Sequence, residues 1–194
     1  MRNTMLNPVL RSPGCNIIVG DALAVLRTLP EQSFQCCVTS PPYWGLRDYG
    51  LRDQIGAEDS IDQYIEKLVD AFREVRRVLK NNGTLWLNLG DSYTSGYRRW
   101  RATDKKNPAR AMGHRPPTPT GLKPKDLIGV PWRVAFALQA DDWYLRSDII
   151  WYKPNCQPES VNDRPTRSHE YLFLFSKSED YYYDYEAVRE PADV

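Results

Sequence analysis

The chain is short of several things, and each shortage removes a class of function. No apolar stretch in its 194 residues approaches the roughly 20 needed to span a bilayer, and the opening "MRNTMLNPVL" lacks the long apolar region of a signal peptide. A cytoplasmic location is the expectation. Only two histidines occur, His114 and His169, and the four cysteines (Cys15, Cys36, Cys37, Cys156) form no CxxC pair. No metal site is expected from such spacing. Cys36 and Cys37 fall in an apolar run of strand type and are expected to be buried, reduced thiols. None of the eleven glycines forms a GxG pair, and no cysteine follows a proline. Charge is almost balanced, 26 lysines and arginines against 25 aspartates and glutamates, so any surface for a polyanion must arise from clustering.

What is present alternates between strand and helix patterns. "NIIVGDALAVLRTLPEQSFQCCVTSPPY" runs from a β-branched stretch through a Gly-Asp turn and a helix with Leu23, Leu26 and Leu29 to a second apolar strand ending at Thr39. This reads as a βαβ unit with parallel strands, which puts Asp21 and Ser40 at carboxyl ends on one edge of the sheet, where open α/β sheets bind ligands. Further on, Ser60 and Gln63 form a capping box before a helix whose Ile61, Ile65, Leu68, Phe72, Val75 and Leu79 fall on one face. "TLWLNLGD" reads as a third strand. "DLIGVPWRVAFALQ" reads as a helix that Pro131 either kinks or starts. "WYLRSDIIWYK" and "YLFLFSKS" read as an antiparallel pair at one side of the sheet, and the tyrosine cluster from residue 181 as a strand beginning that then loses its pattern.

Two segments break this alternation. The stretch "TSPPYWG" ends a strand with two consecutive prolines, which fix φ and remove two donors, so the turn offers carbonyl acceptors and a stiffly held aromatic. Residues 94–124 are poor in aliphatics and rich in proline, and carry Arg98, Arg99, Arg101, Lys105, Lys106, Arg110 and Arg115 against Asp104 as the sole acidic residue. They read as a mobile basic loop that closes on phosphates, with Tyr97 and Trp100 available for stacking. Arg164, Arg167 and His169, just before or at the start of the last strand, are further candidates for phosphate contact, or else for local hydrogen bonds of a surface loop.

On "SPPY", "VGDAL", "GTLWLNLGDSY", "DWYLRSDIIWYKPN" and "DRPTRSHEYLFLFSKS", the chain resembles the amino-methylating DNA methyltransferases of the permuted class, whose catalytic half precedes the cofactor-loop half. The resemblance covers about Asn16 to Asp184. It implies a Rossmann-like α/β fold for S-adenosylmethionine-dependent methyl transfer, with a mostly parallel sheet and an antiparallel edge, forming a single but partial catalytic domain over residues 1–194. The implied substrate is double-stranded DNA with the target base flipped out, and a restriction endonuclease is a possible functional partner. Ser40, Pro41, Pro42 and Tyr43 carry over as the catalytic tetrapeptide. Asp21, with Ala22 and Leu23, carries over as the contact to the cofactor adenine, although an Asp in that position is equally a helix N-cap.

The chemistry suits these residue types. An exocyclic amine is a poor nucleophile because its lone pair is delocalised into the ring; acceptors on its hydrogens, Ser40 Oγ and the Pro41 carbonyl, favour a pyramidal nitrogen, while Tyr43 stacks on the extruded base. In the family the serine form goes chiefly with N4-cytosine methylation and the aspartate form with N6-adenine, so cytosine is favoured over adenine. A non-catalytic DNA-binding remnant is the other alternative. The cytosine carbon-5 reaction uses a cysteine nucleophile, characteristically after proline, and that pair does not occur. One departure is plain: the family's glycine-rich cofactor loop is missing, so the cofactor-loop half is expected elsewhere, in the same or another chain. Asp91 is read as either a wall of the pocket or a turn and capping residue. Trp44, Trp86, Trp132, Trp143 and Trp151 are read as core or pocket wall.

Overall fold

The computed structural model describes residues 10–51, 53–96, 115–156 and 158–190. Its main element is a four-stranded sheet formed by β3 (Phe34–Thr39), β4 (Leu79–Leu89), β5 (Tyr144–Tyr152) and β6 (His169–Ser176), in the order β3-β4-β6-β5. β3 and β4 are parallel, and β6 is antiparallel to both of its neighbours. β3, β4 and β5 therefore share a direction, and the one reversed strand lies inside the sheet between β4 and β5.

Two helices cover one face. α2 (Ile61–Val78) starts at the Ser60 and Gln63 capping box, whose side chains bond reciprocally to each other's backbone N–H. It buries Tyr64, Leu68, Phe72 and Val75 against Leu85, Leu87 and Leu89 of β4 and Phe173 and Phe175 of β6. α3 (Val130–Ala140) adds Val134, Ala135 and Leu138 to the same core. Pro131 lies in its first turn, where a missing N–H costs nothing, so it starts the helix rather than kinking it. Gly129 holds the N-cap position with φ +77, and Asp91 supplies the cap from a distance: its Oδ1 accepts from the N–H groups of Ser92, Gly129 and Val130 at 2.9–3.0 Å. Of the two roles open to Asp91, the structure shows capping.

The other face is bare among the described residues. By strand alternation and register, Val38, Trp86, Ile149 and Trp151 project from it, with Val38 76% and Trp151 52% exposed. Cys36 lies on this face too and is exposed, which corrects the expectation of a buried thiol. Cys37 points the other way and is half-buried, and desolvation, with a smaller contribution from Cys36, pushes its thiol up to about 11. Of the tryptophans, Trp44 and Trp143 are core, whereas Trp151 is open to solvent.

The N-terminal βαβ unit is not formed as expected. β2 (Cys15–Ile17) pairs antiparallel with β1 (Leu10–Ser12) in a separate hairpin, and β3 pairs with β4 alone among the described strands. The apolar pattern of "NIIV" needs a neighbouring parallel strand to bury it, and no described strand fills that place. Ile17 and Val19 accordingly remain 47% and 71% exposed. The connecting helix α1 (Ala22–Thr28) buries no residue fully, and is tied to the domain by Arg77, which donates to the carbonyls of Leu26 and Leu29. The tyrosine cluster at 181–185 forms no strand: residues 181–184 are irregular and lead into a turn over 185–188. The ends of the 94–124 segment meet: Thr94 bonds to the Asp126 and Lys123 carbonyls, and Thr118 Oγ1 donates to the Gly96 carbonyl.

Candidate active site

The shared direction of β3, β4 and β5 places Ser40, Gly90 and Lys153 just past three carboxyl ends, and the reversal of β6 places Glu170 at its amino end on the same edge. There a cavity of about 330 Å³, within the range of small-molecule sites, is lined by Ser40, Pro41, Pro42, Tyr43, Leu46, Arg47, Tyr49, Lys153 and Glu170. The four residues of the tetrapeptide are thus brought together in one wall.

Neighbouring elements hold the turn rigid. The Tyr64 hydroxyl, from inside the core, donates to the Pro42 carbonyl at 2.9 Å. Gly45 N–H donates to the Gly56 carbonyl at 2.7 Å, and Gly56, with φ +98, passes so close that a Cβ would lie 2.9 Å from the Tyr43 carbonyl oxygen. Trp44 Nε1 donates to the Glu58 carbonyl, while the Glu58 carboxylate accepts from Gly56 N–H and pairs with Lys67 at 3.1 Å. The irregular stretch after "SPPYWG" therefore serves as a buttress for it.

Tyr43 is fixed at both ring and hydroxyl. Its ring packs on Gly90, where an added Cβ would meet Cε2 at 2.6 Å. Its hydroxyl lies 3.3 Å from Ser40 Oγ, 3.0 Å from Asn88 Oδ1 and 2.9 Å from Glu170 Oε2. Burial, and beyond it the charge of Glu170, push this phenol up to about 12. Glu170 also makes an ion pair with Lys153. Against the cost of burial, Lys153 and the Tyr43 hydroxyl hold its carboxyl below the usual range, so it is an anion at neutral pH. Asn88, Lys153 and Glu170 were not singled out from the sequence. The available signal was that "WYKPN" and "SHEYLF" each place a charged residue at the end of an apolar strand.

The remaining candidates fall elsewhere. Asp21 is the N-cap of α1, accepting from Ala24 N–H at 2.8 Å, and Asp21 and Ala22 are exposed. No described contact joins Asp21, Ala22 or Leu23 to the tetrapeptide. Arg98, Arg99, Arg101, Lys105, Lys106 and Arg110 lie outside the described residues. Arg115 lines a small crevice with Trp44, Tyr93 and Pro116. Arg164 stacks on the Tyr93 ring at 3.8 Å and pairs with Glu159 at 2.5 Å, while Arg167 turns inward, 3.7 Å from the buried Asp91 carboxylate. No group of side chains that could hold a metal ion occurs among the described residues.

Comparison with known proteins identifies the family and the fold. A family described as DNA methylase, the N6/N4 methyltransferases, matches residues 34–194. The chain belongs to that family. Among curated relatives, the chain is 71% identical to the Type II methyltransferase M.SmaI of Serratia marcescens over 92% of its own length and 61% of the relative's. To M.Cfr9I of Citrobacter freundii it is 67% identical, over 93% of the chain and 60% of the relative. It thus spans about three fifths of the length of these relatives. Its fold is that of the PvuII DNA methyltransferase described as cytosine-N4-specific (TM-score 0.62, 19% identity, 89% of this chain and 52% of that one). It is also that of TTHA0409 from Thermus thermophilus, solved in complex with S-adenosyl-L-methionine (TM-score 0.55, 23% identity, 87% and 56%). The fold is thus the Rossmann-like one of S-adenosylmethionine-dependent methyltransferases.

The residues present fit such a cofactor in part. Asp21 offers an exposed carboxylate for an adenine amine, but no GxG turn in the chain could wrap a methionine portion.

Proposed function

We propose that this chain carries the base-binding, catalytic part of a DNA methyltransferase that acts on the exocyclic N4 amine of a flipped-out cytosine. The observation that carries the reading is the Ser40–Tyr43 turn, locked from behind by Tyr64 and Gly56 and open in front onto a cavity. S-adenosylmethionine, when bound, supplies an electrophilic methyl group on a sulfonium that leaves as a neutral thioether.

The chain's own residues prepare the nucleophile. Ser40 donates its proton to the Tyr43 oxygen, so its lone pairs remain to accept one amine hydrogen. The Pro42 carbonyl is already taken by Tyr64, which leaves the second acceptor role to Pro41, also in the cavity wall. Two acceptors on the amine weaken conjugation with the ring and raise electron density on nitrogen. The ring of Tyr43, held by Gly90, gives the extruded base a fixed aromatic surface in exchange for lost stacking. Arg115, Arg164 and the basic residues between 98 and 110 are assigned to contact with the duplex backbone, whereas Arg167, turned in toward Asp91, is not. Asp21, Ala22 and Leu23 are assigned to the cofactor adenine. A restriction endonuclease acting on the same site is the expected functional partner.

The test is methyl transfer from labelled S-adenosylmethionine to mixed genomic DNA by the protein extended through its natural reading frame, read by nucleoside mass spectrometry. N4-methylcytosine is the expected product. N6-methyladenine would keep the fold and the amine chemistry and overturn the choice of base; an inert extended protein that carries a glycine-rich cofactor loop would overturn the enzyme reading in favour of a DNA-binding remnant.

A further inference from the structure

The tetrapeptide is joined to a partly exposed ion pair, Lys153 with Glu170, by an ordered row of hydrogen bonds. Ser40 Oγ donates to the Tyr43 oxygen at 3.3 Å, and the single Tyr43 proton faces two acceptors, Asn88 Oδ1 at 3.0 Å and Glu170 Oε2 at 2.9 Å. A carboxylate is the stronger acceptor of the two, so the proton goes to Glu170. An ionised carboxylate can only accept, whereas a hydroxyl can point either way. The direction of the whole row is therefore set at its charged end. Were it reversed, Ser40 would receive a proton from Tyr43 and turn its own O–H toward the cavity, presenting a donor to an amine that needs an acceptor.

We infer that Glu170, fixed by Lys153, is a positioning residue that orients the Tyr43 and Ser40 hydroxyls so that Ser40 presents a lone pair to the target amine. The inference rests on the proposed methyltransferase reading and adds to it a residue 130 positions from Ser40 in sequence that need not touch the base. Each strand end contributes one member: Ser40 follows β3, Asn88 lies near the end of β4, Lys153 follows β5 and Glu170 opens β6. Asn88 Nδ2 donates to the Tyr171 carbonyl at 3.1 Å, which keeps its oxygen toward Tyr43. Among the described residues, the other ionisable groups near Tyr43 are Tyr64 from α2 and Arg47 and Tyr49 across the cavity.

The substitution E170Q keeps the size of the side chain and removes the charge that dictates direction, because an amide can donate as well as accept. In the full-length protein, kcat for methyl transfer is expected to fall about tenfold or more with KM for DNA within about threefold, the pattern of an interaction made only in the transition state. E170D should recover part of the loss. In a Y43F background, where the row is already cut, E170Q should add nothing, a coupling that a merely structural role would not produce. A second readout needs no activity: in the chain labelled with ring-carbon-13 tyrosine, the Tyr43 phenol, assigned by its loss in Y43F, should titrate at lower pH in E170Q than in wild type.

An unmoved Tyr43 titration, an active wild type matched by E170Q, or independent effects of E170Q and Y43F would each overturn the inference. A wild type without methyl transfer would overturn the underlying reading, and the inference with it.

Discussion

Asp21 and Ser40 were expected at carboxyl ends on one edge of the same sheet, and the structure treats the Ser40–Tyr43 turn and the hairpin with α1 very differently. The turn is gripped by β4, β6, α2 and the Gly56–Glu58 buttress, and each of its polar groups that points inward has a partner. The segment from Cys15 to Thr28 packs through half-buried leucines and a single arginine, and leaves Ile17 and Val19 open to solvent. Among the described residues the Ser40–Tyr43 turn is thus preorganised, and the Cys15–Thr28 segment is held by few contacts. Chemistry at an amine requires acceptors fixed to a fraction of an ångström, whereas a cofactor rim is completed by whatever packs on it.

Substitutions on the two sides should break or sharpen this contrast. The largest effect is expected for S40A in the full-length protein: loss of one preorganised acceptor should lower kcat about 100-fold, by analogy with removal of a single transition-state hydrogen-bond partner, with a melting temperature near wild type. G90A comes next. Its Cβ would meet the Tyr43 ring at 2.6 Å, so overpacking should cost about 1–3 kcal/mol in denaturant unfolding and displace the ring. A G90A protein as stable as wild type would show that Tyr43 is looser than its contacts indicate. Y64F leaves the Pro42 carbonyl without its buried donor, and should cost about 1–3 kcal/mol of stability while leaving the tetrapeptide sequence intact.

On the other side, D21A removes only a helix cap and should cost about 1 kcal/mol or less by thermal unfolding, because α1 has little else at stake. A cost as large as that of Y64F would refute the contrast. The smallest expected effect is kinetic: Cys36 on the bare face should react with a thiol reagent at mildly alkaline pH well before Cys37, whose thiol is raised to about 11 and turned to the covered face. Equal rates measured on single-cysteine variants would mean that the bare face is covered in solution.

Much of the fold was legible because local signals are strong where one face is buried. The capping box and apolar stripe located α2, Pro131 narrowed α3 to a kink or a start, and the apolar runs of "WYLRSDIIWYK" and "YLFLFSKS" marked the antiparallel pair β5 and β6. "NIIV" was misleading because a β-branched run states only that a strand wants a partner, not which partner, and pairing is a long-range choice. Cys36 and Cys37 were both read as buried because alternation shows that they face opposite sides without showing that one side is bare.

The sequence by itself determined which groups the turn offers: a stiff proline turn with a hydroxyl, a carbonyl and an aromatic ring, since backbone restriction at proline is a property of the residue wherever it stands. Only the tertiary structure decided how those groups are aimed. The Glu170 carboxylate, the Lys153 ammonium, the Asn88 amide and the Tyr64 hydroxyl reach the turn from four separate elements. The direction of a hydrogen bond depends on which charge stands at its far end, and that is set by strand order and register rather than by any local run of residues.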